Sequence, residues 1–134
     1  MFSRIFLART ACYGICPVYK LKIYPSGQVN YSGEHHVKVE GYKNWQINGQ
    51  AVKKLNDLIE KYDYFNIQEN SSLDHMMSTD SPSCITEIRM EDGRKRRIKN
   101  DHGCNDWPLK LKAFENRIDS LVNSAQYVKE DEVN

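Results

Sequence analysis

The segment VYKLKIYPSGQVNYSG, residues 18–33, constrains the fold of this chain more than any other stretch. Its centre, Pro25-Ser26-Gly27, suits a three-residue hairpin loop, because proline fixes φ and glycine supplies a left-handed residue. Apolar and polar residues alternate along both arms, as they do in an antiparallel pair with one buried face. We therefore predict a β-hairpin that buries Tyr19, Leu21, Ile23, Val29 and Tyr31.

Three other stretches extend the predicted sheet. Residues 2–9 are apolar on both faces, which indicates a central strand. The stretch HVKVEG, residues 36–41, predicts another strand after a bulge near Gly33. The stretch CITEIRMEDGRKRRIK, residues 84–99, predicts a second hairpin with its turn at the EDG sequence.

Two amphipathic helices complete the pattern. The first has Asn48 as its N-cap, and the second begins at Asp106 or Trp107. The element order βββ(β)-α-ββ-α predicts a two-layer α+β domain, in which two helices pack on one face of an antiparallel sheet of five to six strands. We expect a single domain over residues 1–127 and a disordered acidic tail over residues 128–134.

The balance of charge bears on the classes of partner. Nineteen basic and eighteen acidic side chains give a net charge of +1, so no overall field attracts nucleic acid or an anionic membrane. Strand alternation divides the basic run RKRRIK, residues 94–99, between two faces, so nucleic acid is not favoured as a partner. No apolar run approaches the ~20 residues of a membrane span. We expect a soluble domain, cytoplasmic if Met1 is the native start, whose apolar edges would allow a homodimer.

The four cysteines leave several interpretations open. Cys12 and Cys16 flank a C-x-x-x-C-P corner that leads directly into a strand, whereas Cys84 and Cys104 lie at the open end of the second hairpin. If the corner folds to that end, four thiolates would hold a structural zinc ion. The alternatives are a Cys84–Cys104 disulfide, a redox-sensitive cysteine pair, and free thiols that behave as small buried hydrophobes. We predict no cofactor apart from this zinc alternative.

The loops at the same hairpin end form a candidate binding surface. The sequences LDHMMSTDSPSC and NDHGCNDWP place histidines, aspartates, methionines and a tryptophan near one another. The first of these is the longest loop of the chain, and methionine side chains suit adaptable contact with a partner. The candidate binding residues are His75, Met76, Met77, Asp80, His102, Asp106 and Trp107.

Common sequence motifs of catalysis are absent from the chain. It contains no Gly-rich phosphate loop after a strand, no G-x-S-x-G and no H-E-x-x-H. We therefore predict no catalytic residues, and we interpret the domain as a small non-enzymatic binding module for a protein partner or a small ligand. The alternative is the thiol site, as structural zinc or a redox pair. A hydrolase that uses His75, His102 and nearby aspartates is the third hypothesis.

The segment TACYGICPVYKLKIYPSGQVNYSG resembles the opening signature of an uncharacterised bacterial domain family, C-[YF]-G-x-C-P-x-Y followed by I-x-x-x-G-x-V-x-[YF]-x-G. The resemblance continues loosely to the last helix, PLKLKAFENRIDSLV. It implies that one set of residues belongs together, namely Cys12, Tyr13, Gly14, Cys16, Pro17 and Tyr19. Members of that family are often small exported or lipid-anchored proteins, so an exported or lipid-anchored parent is the alternative to a cytoplasmic one. The family carries no established activity.

Overall fold

The computed structural model describes residues 1–11, 16–67, 83–101 and 109–128, with only the backbone of Asp101 and Leu109. The strands of this part of the chain are β1 (Phe2–Arg9), β2 (Val18–Ile23), β3 (Gln28–His35), β4 (Gly41–Gln46), β5 (Ser83–Met90) and β6 (Lys95–Asp101). Its α-helices are α1 (Gly49–Lys61), α2 (Leu109–Val122) and α3 (Ala125–Val128). A short 3₁₀ turn covers Tyr64–Asn66.

The strands form one antiparallel sheet in the order β4-β3-β2-β1-β5-β6. β1 pairs with β2 on one side and with β5 on the other, which confirms the predicted central strand. Both hairpins have the predicted registers, because Ile23 pairs with Val29 in the first and Ile88 pairs with Arg96 in the second. The α+β class predicted from the sequence is therefore confirmed.

The fourth strand was predicted in the wrong place, because β4 follows most of HVKVEG instead of being formed by it. His36 adopts a positive φ of 55°, which turns the chain away from β3. The backbone N–H groups of Lys38 and Val39 then donate to carbonyl groups of α3 at 3.1 and 2.9 Å. Backbone groups that are occupied in this way do not pair with a strand. β4 itself is a mostly exposed edge strand, so no apolar alternation marks it in the sequence.

The predicted bulge near Gly33 is present, and steric contacts require glycine at this position. The register of β2 and β3 shifts between Val18 and Tyr19, which leaves Glu34 as the extra residue of β3. A Cβ atom at Gly33 would collide with the carbonyl oxygen of Val39. Only glycine therefore allows the chain after β3 to approach the sheet this closely.

One face of the sheet packs against the helices and forms the core. α1 begins after Asn48, whose side chain accepts a hydrogen bond from the Ala51 N–H at 2.8 Å, as expected of the predicted N-cap. Trp45 of β4 donates its indole N–H to the carbonyl of Val122 in α2 at 3.0 Å. The largest fully buried side chains are Tyr31, Tyr64, Phe2, Phe114, Ile5, Leu7, Leu21, Ile23, Leu55, Ile67, Ile88 and Ile98. We call the opposite side of the sheet the open face.

The predicted single domain over residues 1–127 and the predicted tail over residues 128–134 stay predictions. α3 ends at Val128, one residue beyond the predicted domain limit, and residues 129–134 of the predicted tail lie outside the described residues. The predicted starting residues of the last helix, Asp106 and Trp107, also lie outside them. Within the described ranges, no helix is long and apolar enough to cross a bilayer.

Candidate functional site

The structure describes only part of the predicted sites. The whole candidate binding end lies outside the described residues, namely His75, Met76, Met77, Asp80, His102, Asp106 and Trp107. The same holds for three members of the family signature, Cys12, Tyr13 and Gly14. Cys16, Pro17 and Tyr19 are described, and the candidate site is built from them and from the residues that the fold brings to them.

The described cysteines do not favour the four-cysteine zinc site. Cys12 and Cys104 lie outside the described residues, and Cys16 is half-buried and disulfide-bonded. Cys84 is a free thiol on β5 with 0% exposure, and its burial, followed by the charge of Glu115, raises the pKa of the thiol well above its ordinary value. Zinc ligation requires thiolates. Within the described ranges, no group of three or more metal-binding side chains is present.

Tyr19 leads from the family signature to a set of polar side chains between the sheet and α2. Its hydroxyl donates to Asp119 Oδ1 at 2.8 Å and accepts from Arg9 Nε at 3.0 Å. Arg9 Nε and Nη2 both donate to Asp119 Oδ2, at 3.0 and 2.6 Å. The hydroxyl of Ser124 donates to Asp119 Oδ1 at 2.6 Å. We call Arg9, Tyr19, Asp119 and Ser124 the Arg9–Asp119 cluster.

Strand register and helix geometry position each member of this cluster. Arg9 and Tyr19 are a directly opposed pair on β1 and β2. Asp119 lies on α2, above that pair of strands. Ser124 follows Asn123, whose positive φ of 57° ends the helix and turns the chain toward α3. The cluster therefore joins β1 and β2 to α2 and to the turn that follows α2.

The electrostatics of the cluster favour a fixed hydrogen-bonded unit. The side chains of Arg9 and Asp119 are 16% and 18% exposed, and four donated hydrogen bonds occupy the Asp119 carboxylate. Burial, followed by the charge of Asp119, raises the pKa of Tyr19 well above its ordinary value, so its hydroxyl stays protonated at neutral pH. Proton transfer near pH 7 needs a group whose pKa lies near that value. The cluster is better suited to presenting hydrogen-bonding groups than to acid–base catalysis.

A second layer of buried polar groups lies next to the cluster. Cys84 is the neighbour of Arg9 across β1 and β5, and Asn100 is the neighbour of Cys84 across β5 and β6. The Asn100 amide donates to Glu115 Oε2 at 3.0 Å, and Glu115 lies one helical turn before Asp119 and has 0% exposure. Two acidic side chains of α2 thus face one row of polar groups that runs across the sheet.

An open cavity of about 530 Å³ lies beside the Arg9–Asp119 cluster, which contributes all four of its residues to the wall. The remaining polar lining comes from Asn116, Ser120 and Asn123, which are exposed. The apolar lining consists of Pro17, Ala125 and Val128. Two residues of the family signature therefore line the cavity, and it is the strongest candidate site among the described residues.

Sequence reasoning did not find Arg9 or Asp119, although each leaves a signal. Arg9 occupies an inward position of a central strand, in alternation with the apolar Ile5 and Leu7, and buried charges are paired in folded proteins. Glu115 and Asp119 are four residues apart on α2 and therefore share one side of the helix. The sequence did not show that the side chains of Arg9 and Asp119 contact each other in the folded chain.

The family assignment covers six of the ten residues that line this cavity, including Arg9, Tyr19 and Asp119. The sequence profile of a family described as a domain of unknown function (DUF6438) matches residues 3–122. The chain belongs to this family. A search of curated proteins found no match. Membership of an uncharacterised domain family is thus confirmed, and the C-[YF]-G-x-C-P-x-Y signature, a bacterial origin, a cytoplasmic location and a homodimer stay predictions.

Proposed function

We propose that this DUF6438 domain is a non-enzymatic binding module whose ligand occupies the cavity beside the Arg9–Asp119 cluster. The observation that carries the proposal is the meeting of signature residues Pro17 and Tyr19 with a largely buried ion pair in one open cavity. Concave sites that combine an apolar wall with a few positioned polar groups are the usual form of small-ligand sites.

The chemistry of the lining favours a small molecule that carries a carboxylate or another hydrogen-bond acceptor. Arg9 uses Nε and Nη2 for its contacts with Tyr19, Asn116 and Asp119, and its Nη1 group makes no hydrogen bond with another described residue. A guanidinium group held in a fixed orientation is a strong donor to carboxylates. The apolar lining residues would pack against a non-polar part of the same ligand.

A cavity-filling variant tests this proposal. Ser120 is exposed on α2 and lines the cavity, so Ser120→Trp should block it with little effect on the core. Ala113→Trp places the same side chain at an exposed position two turns earlier on α2, outside the cavity lining. We would screen free amino acids and small mono- and dicarboxylates by thermal unfolding, and confirm binding by calorimetry.

We expect at least one of these compounds to raise the melting temperature of the wild type and of Ala113→Trp by several degrees at saturating concentration. Ser120→Trp should show no such increase. The proposal is wrong if no compound of the panel stabilises the wild type, or if the same compound stabilises Ser120→Trp equally.

A further inference from the structure

The open face of the sheet concentrates positive charge. Among the residues whose side chains the structure describes, this face carries seven cations, Arg4, Lys20, Lys22, Arg89, Lys95, Arg97 and Lys99, and two carboxylates, Glu34 and Glu87. The backbone register of β6 places Asp101 on the same face. The cations come from four different strands, and their excess is large for a chain with a net charge of +1. Strand alternation and register gather here residues that are far apart in the sequence.

Glu87 and Glu34 of the open face are already paired with cations. Glu87 lies 2.9 Å from Arg4 and 3.6 Å from Arg89, and Glu34 lies 3.2 Å from Lys20. Most of the cations are nevertheless exposed and in contact with solvent. The cations of this face therefore outnumber its acidic residues, and Lys22 and Arg97 are among its exposed cations.

Two depressions on the open face place aromatic rings among these cations. The first has a volume of about 630 Å³ and is lined by Lys20, Lys22, Tyr42 and Asn44, among others. Tyr42 is 87% exposed, an unusual environment for so large a side chain. Asn44 is one of several amide side chains that β3 and β4 present on this face.

The second depression, of about 390 Å³, lies on the other side of Lys20, where Phe6, Ala8 and Ile85 form an apolar floor. The guanidinium carbon of Arg97 lies 5.9 Å from the centre of the Phe6 ring. Each depression thus combines an aromatic side chain with cations. With neighbouring strands ~4.8 Å apart, the six strands span about 24 Å, which accommodates several nucleotides.

We propose that the open face binds single-stranded nucleic acid, with backbone phosphates on the cations and bases in the two depressions on either side of Lys20. Aromatic rings stack on bases, cations hold phosphates, and the amide groups of β3 and β4 suit hydrogen bonding to base edges. An acidic protein would use the cations but has no need of the aromatic rings and amides. A duplex is disfavoured because the described part of this broad face offers no helix or two-stranded ribbon to enter a groove.

The sequence did not favour nucleic acid as a partner. The structure shows why the net charge of the whole chain does not reveal the positive open face. The near-zero net charge sums the open face with acidic residues elsewhere in the chain. Within RKRRIK, Lys95, Arg97 and Lys99 lie on the open face, whereas Arg96 points inward and donates to the carbonyl of Tyr64 at 2.9 Å. Cations from β1 and β2 then complete the surface.

The first test changes charge on the open face and uses a variant with the same change of net charge elsewhere. Lys22→Glu/Arg97→Glu reverses two exposed cations of that face, and Lys53→Glu/Lys54→Glu reverses two exposed cations of α1. Fluorescence anisotropy would measure binding of a mixed-sequence 12-nucleotide RNA and DNA strand over a series of salt concentrations, after circular dichroism has shown that each variant is folded.

We expect the open-face variant to lose at least about tenfold in affinity at low salt and the slope of log K against log salt to fall by about 1.4, because each phosphate contact on a single strand contributes about 0.7. The α1 variant should retain most of the affinity. Equal losses in the two variants, or no binding by the wild type at low salt, would overturn the proposal.

The second test separates stacking from charge. Tyr42→Ala should weaken single-strand binding at least about fivefold, and Tyr42→Phe should retain it, because a phenyl ring stacks as a phenol does. Polyglutamate of similar charge should compete poorly with the labelled strand, and a 12-base-pair duplex should bind more weakly. Unchanged binding by Tyr42→Ala, or competition by polyglutamate or duplex as strong as by the single strand, would overturn it. Ser120→Trp, which tests the separate cavity, should leave this binding unchanged.

Discussion

Charged side chains lie in opposite environments on the two sides of β1 and β2. On the side that faces the helices, Arg9 is largely buried and makes an ion pair with Asp119 at 2.6 Å, with Tyr19 completing the contact. On the open face, Lys20 and Lys22 of the same hairpin strand are exposed. Residues that are adjacent in the sequence therefore belong to two electrostatic environments.

This difference follows from the cost of desolvation. A guanidinium group removed from water is retained only where a carboxylate and further hydrogen bonds replace its hydration. A lysine in water has no such requirement, and its charge stays available to a partner. The buried side should thus respond strongly to loss of a partner group, whereas the open face should matter for binding and little for stability.

The largest expected effect is that of Asp119→Ala. The substitution leaves a mostly buried guanidinium and two hydroxyl groups without their acceptor, so we expect a loss of about 3 kcal/mol in the free energy of unfolding, measured in urea. Arg9→Met/Asp119→Ala should lose less than the sum of the two single variants, because the double variant buries no unpaired charge. Additive losses would show that the ion pair is not a coupled unit.

The second-largest expected effect is a loss of stability at alkaline pH, which arises on the side of the sheet that faces the helices. Burial raises the pKa of Cys84 and of Tyr19 in the folded chain. In the unfolded chain they lose protons near pH 8.5 and 10, respectively, so above those values the unfolded state binds fewer protons and stability falls by up to about 1.4 kcal/mol per pH unit and group. Calorimetry should show a constant melting temperature up to about pH 8.5 and a decline above it.

The variant Cys84→Ala isolates one of the two contributions. In this variant the decline in melting temperature should begin nearer pH 10. At that pH the unfolded chain loses the proton of Tyr19, which the folded chain keeps buried and protonated. A wild-type melting temperature that stays constant from pH 8 to 11 would be incompatible with neutral, buried forms of these groups.

Tyr64→Phe should have a smaller effect on the same side of the sheet. The Tyr64 hydroxyl is fully buried and lies 2.9 Å from Thr86 Oγ1. Its removal costs about 1 to 1.5 kcal/mol, because a buried hydroxyl loses its partner while the ring keeps its packing. Urea unfolding measures this loss, and a change below about 0.3 kcal/mol would mean that water replaces the missing group.

Lys20→Ala on the open face should have the smallest effect. The Lys20–Glu34 pair is 3.2 Å apart, with side chains 52% and 39% exposed. Exposed ion pairs contribute about 0 to 1 kcal/mol and are screened by salt. A loss comparable to that of Asp119→Ala would remove the contrast between the two sides of the sheet.

The fold could be predicted where local chemistry decides it. The PSG and EDG turns fixed two hairpin registers, and Asn48 marked the start of α1. β4 was missed because an exposed edge strand has no apolar face to alternate. HVKVEG has the alternation of a strand, but its backbone is hydrogen-bonded to α3, a partner about ninety residues later in the chain.

The sequence by itself determined the alternation of inward and outward side chains, because strand period and turn type are local properties of the chain. It therefore also determined which cations within β2, and which cations within β6, lie on the side of the strand opposite the apolar residues. Only the tertiary structure decided that Arg9 meets Asp119, and that cations from four strands form one surface. Both depend on strand order and on the packing of α2 over β1 and β2, which arise from contacts between residues distant in the sequence.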